Sequence, residues 1–209
     1  PAGKFDGDPA VNPDLYNLNL NDVNGSYLIH RANKAGTNWY DEITRNAPIQ
    51  NYNVAVSGGA DKSRYMMSLD YFDQQAVIIN SFFKRYTFRV NTEFNVKNWL
   101  RIGQNMQLLV SEDNTVQNNG NNGEGSEIGF AYRNQSIIPV YDIKGNFAGS
   151  RAPGLGNSAN PVAVRQRARD NRGQQTGVFG NIYAEVDFLR HFTARTSIGG
   201  QMNNGNYFY

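Results

Sequence analysis

Residues 85–94 alternate without a break. Tyr86, Phe88, Val90, Thr92 and Phe94 share one parity, and Arg85, Thr87, Arg89, Asn91 and Glu93 share the other. Side chains of a strand point to opposite faces in turn, so this segment is a ribbon with one greasy and one polar side. Five further segments repeat the pattern. Strands are predicted at about 50–57 (Tyr52, Val54, Val56), 64–72 (Tyr65, Met67, Leu69, Tyr71) and 100–110 (Leu100, Ile102, Met106, Leu108, Val110, interrupted by Gln104). Two more are predicted at about 175–187 (Val178, Ile182, Ala184, Val186) and 192–202 (Phe192, Ala194, Ile198, Met202). The connections alternate in length: tight at 58–63, 96–99 and 188–191, longer at 73–83, and longest at 112–173. Segments near the 9–11 residues that a tilted strand needs to cross hydrocarbon, joined in a short–long rhythm, are the sequence form of an all-β, antiparallel up-and-down transmembrane β-barrel.

The charges follow the same division. Within the strands Arg64, Asp70, Arg85, Arg89, Glu93, Arg101, Glu185, Asp187 and Arg195 fall on the polar parity. Asp73 and Lys84 fall on the apolar parity, but at loop ends where lipid headgroups would reach them. A basic side chain on the lipid face at mid-bilayer costs about 2–4 kcal/mol, so such segregation is expected of a barrel. Tyr52, Tyr71, Tyr86, Phe94, Trp99 and Phe192 mark strand ends, where amphipathic rings suit a membrane interface. A soluble β-sandwich, acting as a binding module or adhesin, also alternates and remains the alternative fold. An outer-membrane barrel enzyme such as a lipase or protease is the other.

Loop lengths also imply an orientation. Tight turns of outer-membrane barrels face the periplasm, so the first strand descends, the sixth ascends, and both chain ends lie outside. At least one earlier strand is then expected, with residues 1–48 forming an extracellular loop after it. Six strands are also too few to close a bacterial single-chain barrel, for which eight is the minimum. Open strand edges in hydrocarbon cost several kcal/mol per unpaired backbone group. The chain therefore reads as a fragment of a longer barrel. Within residues 1–48 a short helix is expected at about 38–46, with Asn38 at its cap, Asp41 and Glu42 in its first turn, and Pro48 barring continuation.

Composition changes this picture little. The chain has 209 residues, a formal net charge of +2 and no cysteine. This argues against a nucleic-acid-binding stripe and removes disulfide and thiolate-metal chemistry. Mean hydropathy is −0.60, and no apolar run is long enough for a membrane-spanning helix. Asparagine is the commonest residue, as suits barrel walls and glycan-handling loops.

Candidate chemistry is sparse. No catalytic constellation, cofactor fingerprint or metal set is found. His30 and His191 read as ordinary surface or satisfied histidines. The stretch Asp113–Glu124 has the length of a calcium loop but carries Asn118 where the sixth-position glycine belongs, and Thr115 and Gln117 are weak ligands. Arg165, Arg167 and Arg169 recur every second residue, with Arg172 nearby. In extended chain they share a face, either as an anion site for an acidic substrate or lipopolysaccharide phosphate, or as a solvated loop or lumen wall. Trp39 and Tyr40 are candidate substrate or lid contacts, with packing inside the loop as the alternative. On the polar parity Arg64, Asp70, Arg85, Arg89, Asn91, Glu93, Arg101 and Asn105 are candidates to face a lumen or a plug within it. The terminal Tyr209 resembles a barrel-insertion signal only superficially.

Several blocks carry a resemblance. Trp39-Tyr40-Asp41-Glu42-Ile43-Thr44-Arg45-Asn46-Ala47-Pro48 is followed by Gln50-Asn51-Tyr52-Asn53-Val54-Ala55-Val56-Ser57-Gly58-Gly59. Then come Leu69-Asp70-Tyr71-Phe72-Asp73-Gln74-Gln75, Phe83-Lys84-Arg85-Tyr86, Asn98-Trp99-Leu100-Arg101-Ile102-Gly103 and Phe179-Gly180-Asn181-Ile182-Tyr183-Ala184-Glu185-Val186-Asp187-Phe188-Leu189. In this order they resemble the SusC/RagA family of TonB-dependent outer-membrane transporters. The resemblance implies a plugged barrel of about 22 strands, of which this chain supplies the first outer loop and early strands. It implies import of glycans, oligosaccharides or peptides across the outer membrane of a Bacteroidetes-type bacterium. The implied partners are a SusD-like surface lipoprotein and the TonB complex, the latter through a segment absent from this chain. It also places Tyr209 early in the barrel.

Overall fold

The computed structural model describes residues 36–115, 125–141, 145–150 and 154–209. His30, most of the expected first loop, and residues 116–124 of the calcium-loop candidate lie outside the described residues.

Six strands form one sheet in simple sequential order: β1 (Ile49–Ala60), β2 (Ser63–Gln75), β3 (Phe82–Lys97), β4 (Leu100–Asn114), β5 (Arg172–Phe188) and β6 (Phe192–Phe208). Every neighbouring pair is antiparallel. The strands run past the alternating segments, mostly at the ends joined by longer connections. There Asp73, Lys84, Glu112 and Gln174 put polar groups on the otherwise greasy parity, so hydrogen-bonded ladder continues where the hydrophobic signal has stopped.

The turns explain the register. Asp61–Lys62 and Asn98–Trp99 leave two residues between paired strands, a length that twists compatibly with a hairpin. The β3–β4 pairing absorbs an irregularity between Asn95 and Lys97, a bulge just before the turn. Leu189 and Arg190 have φ of 49° and 62° in the β5–β6 turn, a left-handed backbone uncommon for such side chains.

Direct cross-strand partners line up the apolar side chains in rows, broken on β5 by Thr176 and Gly180. One row runs Tyr52–Tyr71–Tyr86–Val110, the next Val54–Leu69–Phe88–Leu108–Val178–Met202, and the next Val56–Met67–Val90–Met106. This face stays open to the surroundings: Val54 is 67% exposed, Met202 67% and Ile198 78%. A soluble protein rarely leaves more than a few hundred Å² of contiguous apolar surface uncovered. The described residues hold one sheet, not the two of a sandwich.

The remaining described residues form a second compact unit, 36–46, 77–81 and the described part of 115–170. Here the structure adds what alternation does not signal. Besides α1 (Trp39–Ile43), the long insertion carries two short helices, α2 (Glu127–Arg133) and α3 (Pro161–Arg167). Trp39, Ile43, Ala131, Ile138, Val140, Ala148 and Val162 make its core. Ser126 caps α2 by accepting from the Gly129 N–H at 3.1 Å. Asn160 caps α3 through the Ala163 N–H at 3.1 Å, and Pro161 opens that helix where its missing N–H is harmless. The Asn160 amide also donates to the carbonyls of Val140 and Ala148, both at 2.9 Å, so one side chain satisfies a helix end and two buried loop carbonyls.

Candidate functional site

Two surfaces present chemistry: the polar face of the sheet and the outside of the helical unit. On the sheet, register places Arg64, Asp70, Arg85, Arg89, Asn91, Glu93, Arg101 and Asn105 on a single face. They are not isolated. Asp70 and Arg85 approach to 3.8 Å, with the Arg85 guanidinium 5.5 Å from the Phe72 ring centre. Arg89 donates to Gln107 at 2.8 Å, and Asn105 donates to Asn181 at 2.9 Å. Arg64 stands directly across from Glu93, and Asn91 across from Asn105.

Toward the tight turns this face carries a connected network that includes residues absent from the candidate set. Arg101 lies 3.0 Å from Glu185 and 3.3 Å from Asp187, while Arg195 pairs with the same Glu185 at 3.2 Å. The Arg195 guanidinium sits 4.0 Å from the Tyr183 ring centre, and the Tyr183 hydroxyl donates to Glu93 at 2.9 Å. Thr193 donates to Asp187 at 2.6 Å. Single pairs at this exposure contribute only ~0–1 kcal/mol each. Their effect here is to hold long side chains in set directions along four adjoining strands.

Tyr183 can lie across the sheet because Gly103, its direct partner on β4, has no side chain. A Cβ at Gly103 would overlap the ring. Gly103→Ala is therefore expected to destabilise the sheet by about 1–3 kcal/mol through overpacking and to detach the Tyr183 hydroxyl from Glu93. Chemical denaturation of the variant beside Tyr183→Ala/Gly103→Ala checks this, because removing the ring should restore most of the loss.

In the helical unit the arginine triplet differs from its extended-chain expectation. Arg165 and Arg167 lie on α3, where residues two apart do not share a face. Asn160-Pro161, a cap followed by a first-turn proline, was the local sign of that helix. Arg165 is wholly enclosed, at 0% exposure, and pairs with Glu127 of α2 at 3.1 Å. It also donates to the carbonyls of Ile79 (3.2 Å), Asn80 (2.7 Å) and Thr115 (3.4 Å). Its role is to join loops to helices, and it offers no surface to an anion. Arg167 and Arg169 are exposed, and Arg169 bonds Asp170 at 3.1 Å. Trp39 is buried and donates from Nε1 to the Gln135 carbonyl at 3.2 Å, which makes it a packing residue, whereas Tyr40 is exposed. Exposed Ile128 and Tyr132 stand one turn apart on α2 and had no signal in the strand pattern.

No protein-family model matches the chain. In sequence it is similar to TonB-dependent receptor P3 of Formosa agariphila, 30% identical over 174 residues, covering 81% of this chain and 17% of that receptor. It is also similar to TonB-dependent receptor SusC of Bacteroides thetaiotaomicron, 26% identical over 220 residues, covering 94% of this chain and 21% of SusC. The chain thus spans about a fifth of the length of the curated relatives it matches. In fold it is similar to the RagAB peptide transporter, with a TM-score of 0.61 at 19% identity over 82% of this chain and 19% of that one. A structure of the RagAB peptide importer in the 'closed-closed' state matches with a TM-score of 0.62 at 18% identity over 92% of this chain. The sheet is accordingly an up-and-down β-barrel segment, and the sequence relatives are receptors by name rather than enzymes.

Proposed function

We propose, from the premise that this chain is a SusC/RagA-like segment of a TonB-dependent receptor, that it supplies early wall strands and outer loops for nutrient import across an outer membrane. The observation that carries this reading is the division of the sheet. Exposed apolar side chains recur on one face of all six strands, and the charges within the strands lie on the other, joined in a bonded network toward the tight turns. From the tyrosine row to Phe94 the wall rises roughly 20 Å, taking ~3.4 Å per residue and a tilt near 40°, which approaches the ~25 Å apolar band of such barrels.

On this reading the apolar face meets lipid, and the polar face, with its eight candidate residues, faces the lumen and what fills it. The connections before β1 and between β4 and β5 are outer loops on this reading. Their exposed Tyr40, Tyr132, Arg167 and Arg169 are the contacts for a glycan, oligosaccharide or peptide, or for a SusD-like lipoprotein closing over the barrel. Energy arrives through TonB by a segment outside this chain. The substrate undergoes no covalent change, and the wall residues act by hydrogen bonding and charge. The host is a Gram-negative bacterium of the Bacteroidetes type.

The test uses the full-length receptor in its own cells. It should remain in membranes after an alkaline wash, and cellular uptake of labelled oligosaccharide or peptide should fall to background when either the receptor or TonB is deleted. A receptor recovered in the aqueous phase, or uptake indifferent to TonB, would contradict the proposal.

A further inference from the structure

Just beyond the Tyr52–Tyr71–Tyr86 row, the lipid-side parity changes character. The next row is Gln50–Asp73–Lys84–Glu112–Gln174, and the one after it contains Gln75, Phe82, Asn114, Arg172 and Phe208. These rows stand about 7 and 14 Å further along the strands, at ~3.4 Å per residue, where headgroups begin. Two cations converge on one ring there: Lys84 Nζ is 5.6 Å and Arg172 Cζ 5.0 Å from the centre of Phe82. Their side chains are 37% and 33% exposed, so both keep a face to the surroundings.

The carboxylates beside them hold the cations in place. Arg172 Nε lies 3.0 Å from Glu112. Asp73 accepts from the Tyr71 hydroxyl at 3.0 Å and from Gln75 at 3.2 Å, which orients it toward Lys84 at 3.9 Å. That last separation is beyond hydrogen-bond length, so the ammonium retains donors for an outside acceptor.

We infer that the Lys84–Phe82–Arg172 band is a headgroup site on the outside of the barrel that takes a phosphorylated glycolipid of the outer leaflet. Acyl chains lie along the Val54–Leu69–Phe88–Leu108 row, the tyrosines bracket the sugar–acyl junction, and the two cations contact phosphate oxygens by charge-assisted hydrogen bonds. The inference rests on the barrel reading above. It relocates the anion-binding idea from the Arg165–Arg169 segment to Arg172, the one arginine of that group on the lipid-side parity.

The experiment uses the full-length receptor in detergent with purified lipid A as probe, beside dephosphorylated lipid A and inorganic phosphate, read by native mass spectrometry. Lys84→Gln/Arg172→Gln should bind lipid A about tenfold more weakly, less than two independent basic groups at an anionic surface would lose, because Asp73 and Glu112 already neutralise part of their charge. Lys84→Gln alone should lose about threefold. Dephosphorylated lipid A should bind wild type and variants equally, and millimolar inorganic phosphate should not compete. Heat-modifiable gel mobility verifies that each variant folds. Equal lipid A binding by wild type and double variant, or competition by free phosphate, would overturn the site while leaving the barrel intact. A receptor that needs no detergent would overturn the barrel reading itself.

Discussion

Val90→Arg is expected to destabilise the folded barrel by about 2–4 kcal/mol, whereas Asn91→Arg, one residue along, stays within about 0.5 kcal/mol. Val90 lies between Met67 and Met106, halfway from the tyrosine row to Phe94, at the height where lipid offers a guanidinium neither water nor a headgroup. Asn91 points the other way, toward Asn105 and the amides and charges of the polar face. A buried soluble core would also reject arginine at Val90, so the decisive comparison is depth. Phe94→Arg, at the interface end of the same face, should cost only ~0–1 kcal/mol if lipid is the neighbour. Urea titration of the full-length receptor refolded into lipid vesicles measures all three. Equal losses at Val90 and Phe94 would mean that protein, not lipid, covers this face.

The second large effect belongs to the helical unit. Arg165→Met or Glu127→Leu alone is expected to cost about 3–5 kcal/mol, since each leaves its partner charged and enclosed. Glu127 is 2% exposed, and its Oε2 has no hydrogen-bond partner among the described residues, so little there can take over from the arginine. The double variant Arg165→Met/Glu127→Leu should recover much of the loss, as replacing a whole buried pair by apolar groups often does. Carbonyls of Ile79, Asn80 and Thr115 would still lose their donor, so recovery should be incomplete. Hydrogen exchange should show faster opening of 77–81 and the two insertion helices in each single variant, with the strand ladders unchanged. Uniform acceleration across the sheet, or a double variant worse than either single one, would contradict this account.

Among the particular elements, β3 shows why so much was readable. Its two faces are written in adjacent residues, and a period of two needs no distant partner to be recognised. The neighbouring rows follow once tight turns hold the hairpins in register, which is why Arg64, Asp70, Arg89 and Glu93 could be assigned one side from parity. Strand ends were less legible. At Asp73, Lys84 and Glu112 the greasy parity turns polar while Phe72 and Phe83 stand on the other one, and only a paired neighbour shows that the ladder continues. The Asn160-Pro161 cap was a local signal for α3 that the two-residue spacing of the arginines obscured.

Local chemistry along the chain therefore decided which segments are strands, which side of each is greasy, and that their charges belong together, because alternation is a property of consecutive residues. Folding in three dimensions alone decided that Arg165 is sealed against Glu127, that Tyr183 lies over Gly103 to reach Glu93, and that Lys84 and Arg172 meet around Phe82. Those contacts span 38 positions from Glu127 to Arg165 and 90 from Glu93 to Tyr183. Their existence depends on packing volume, desolvation and register, none of which a short window of sequence contains.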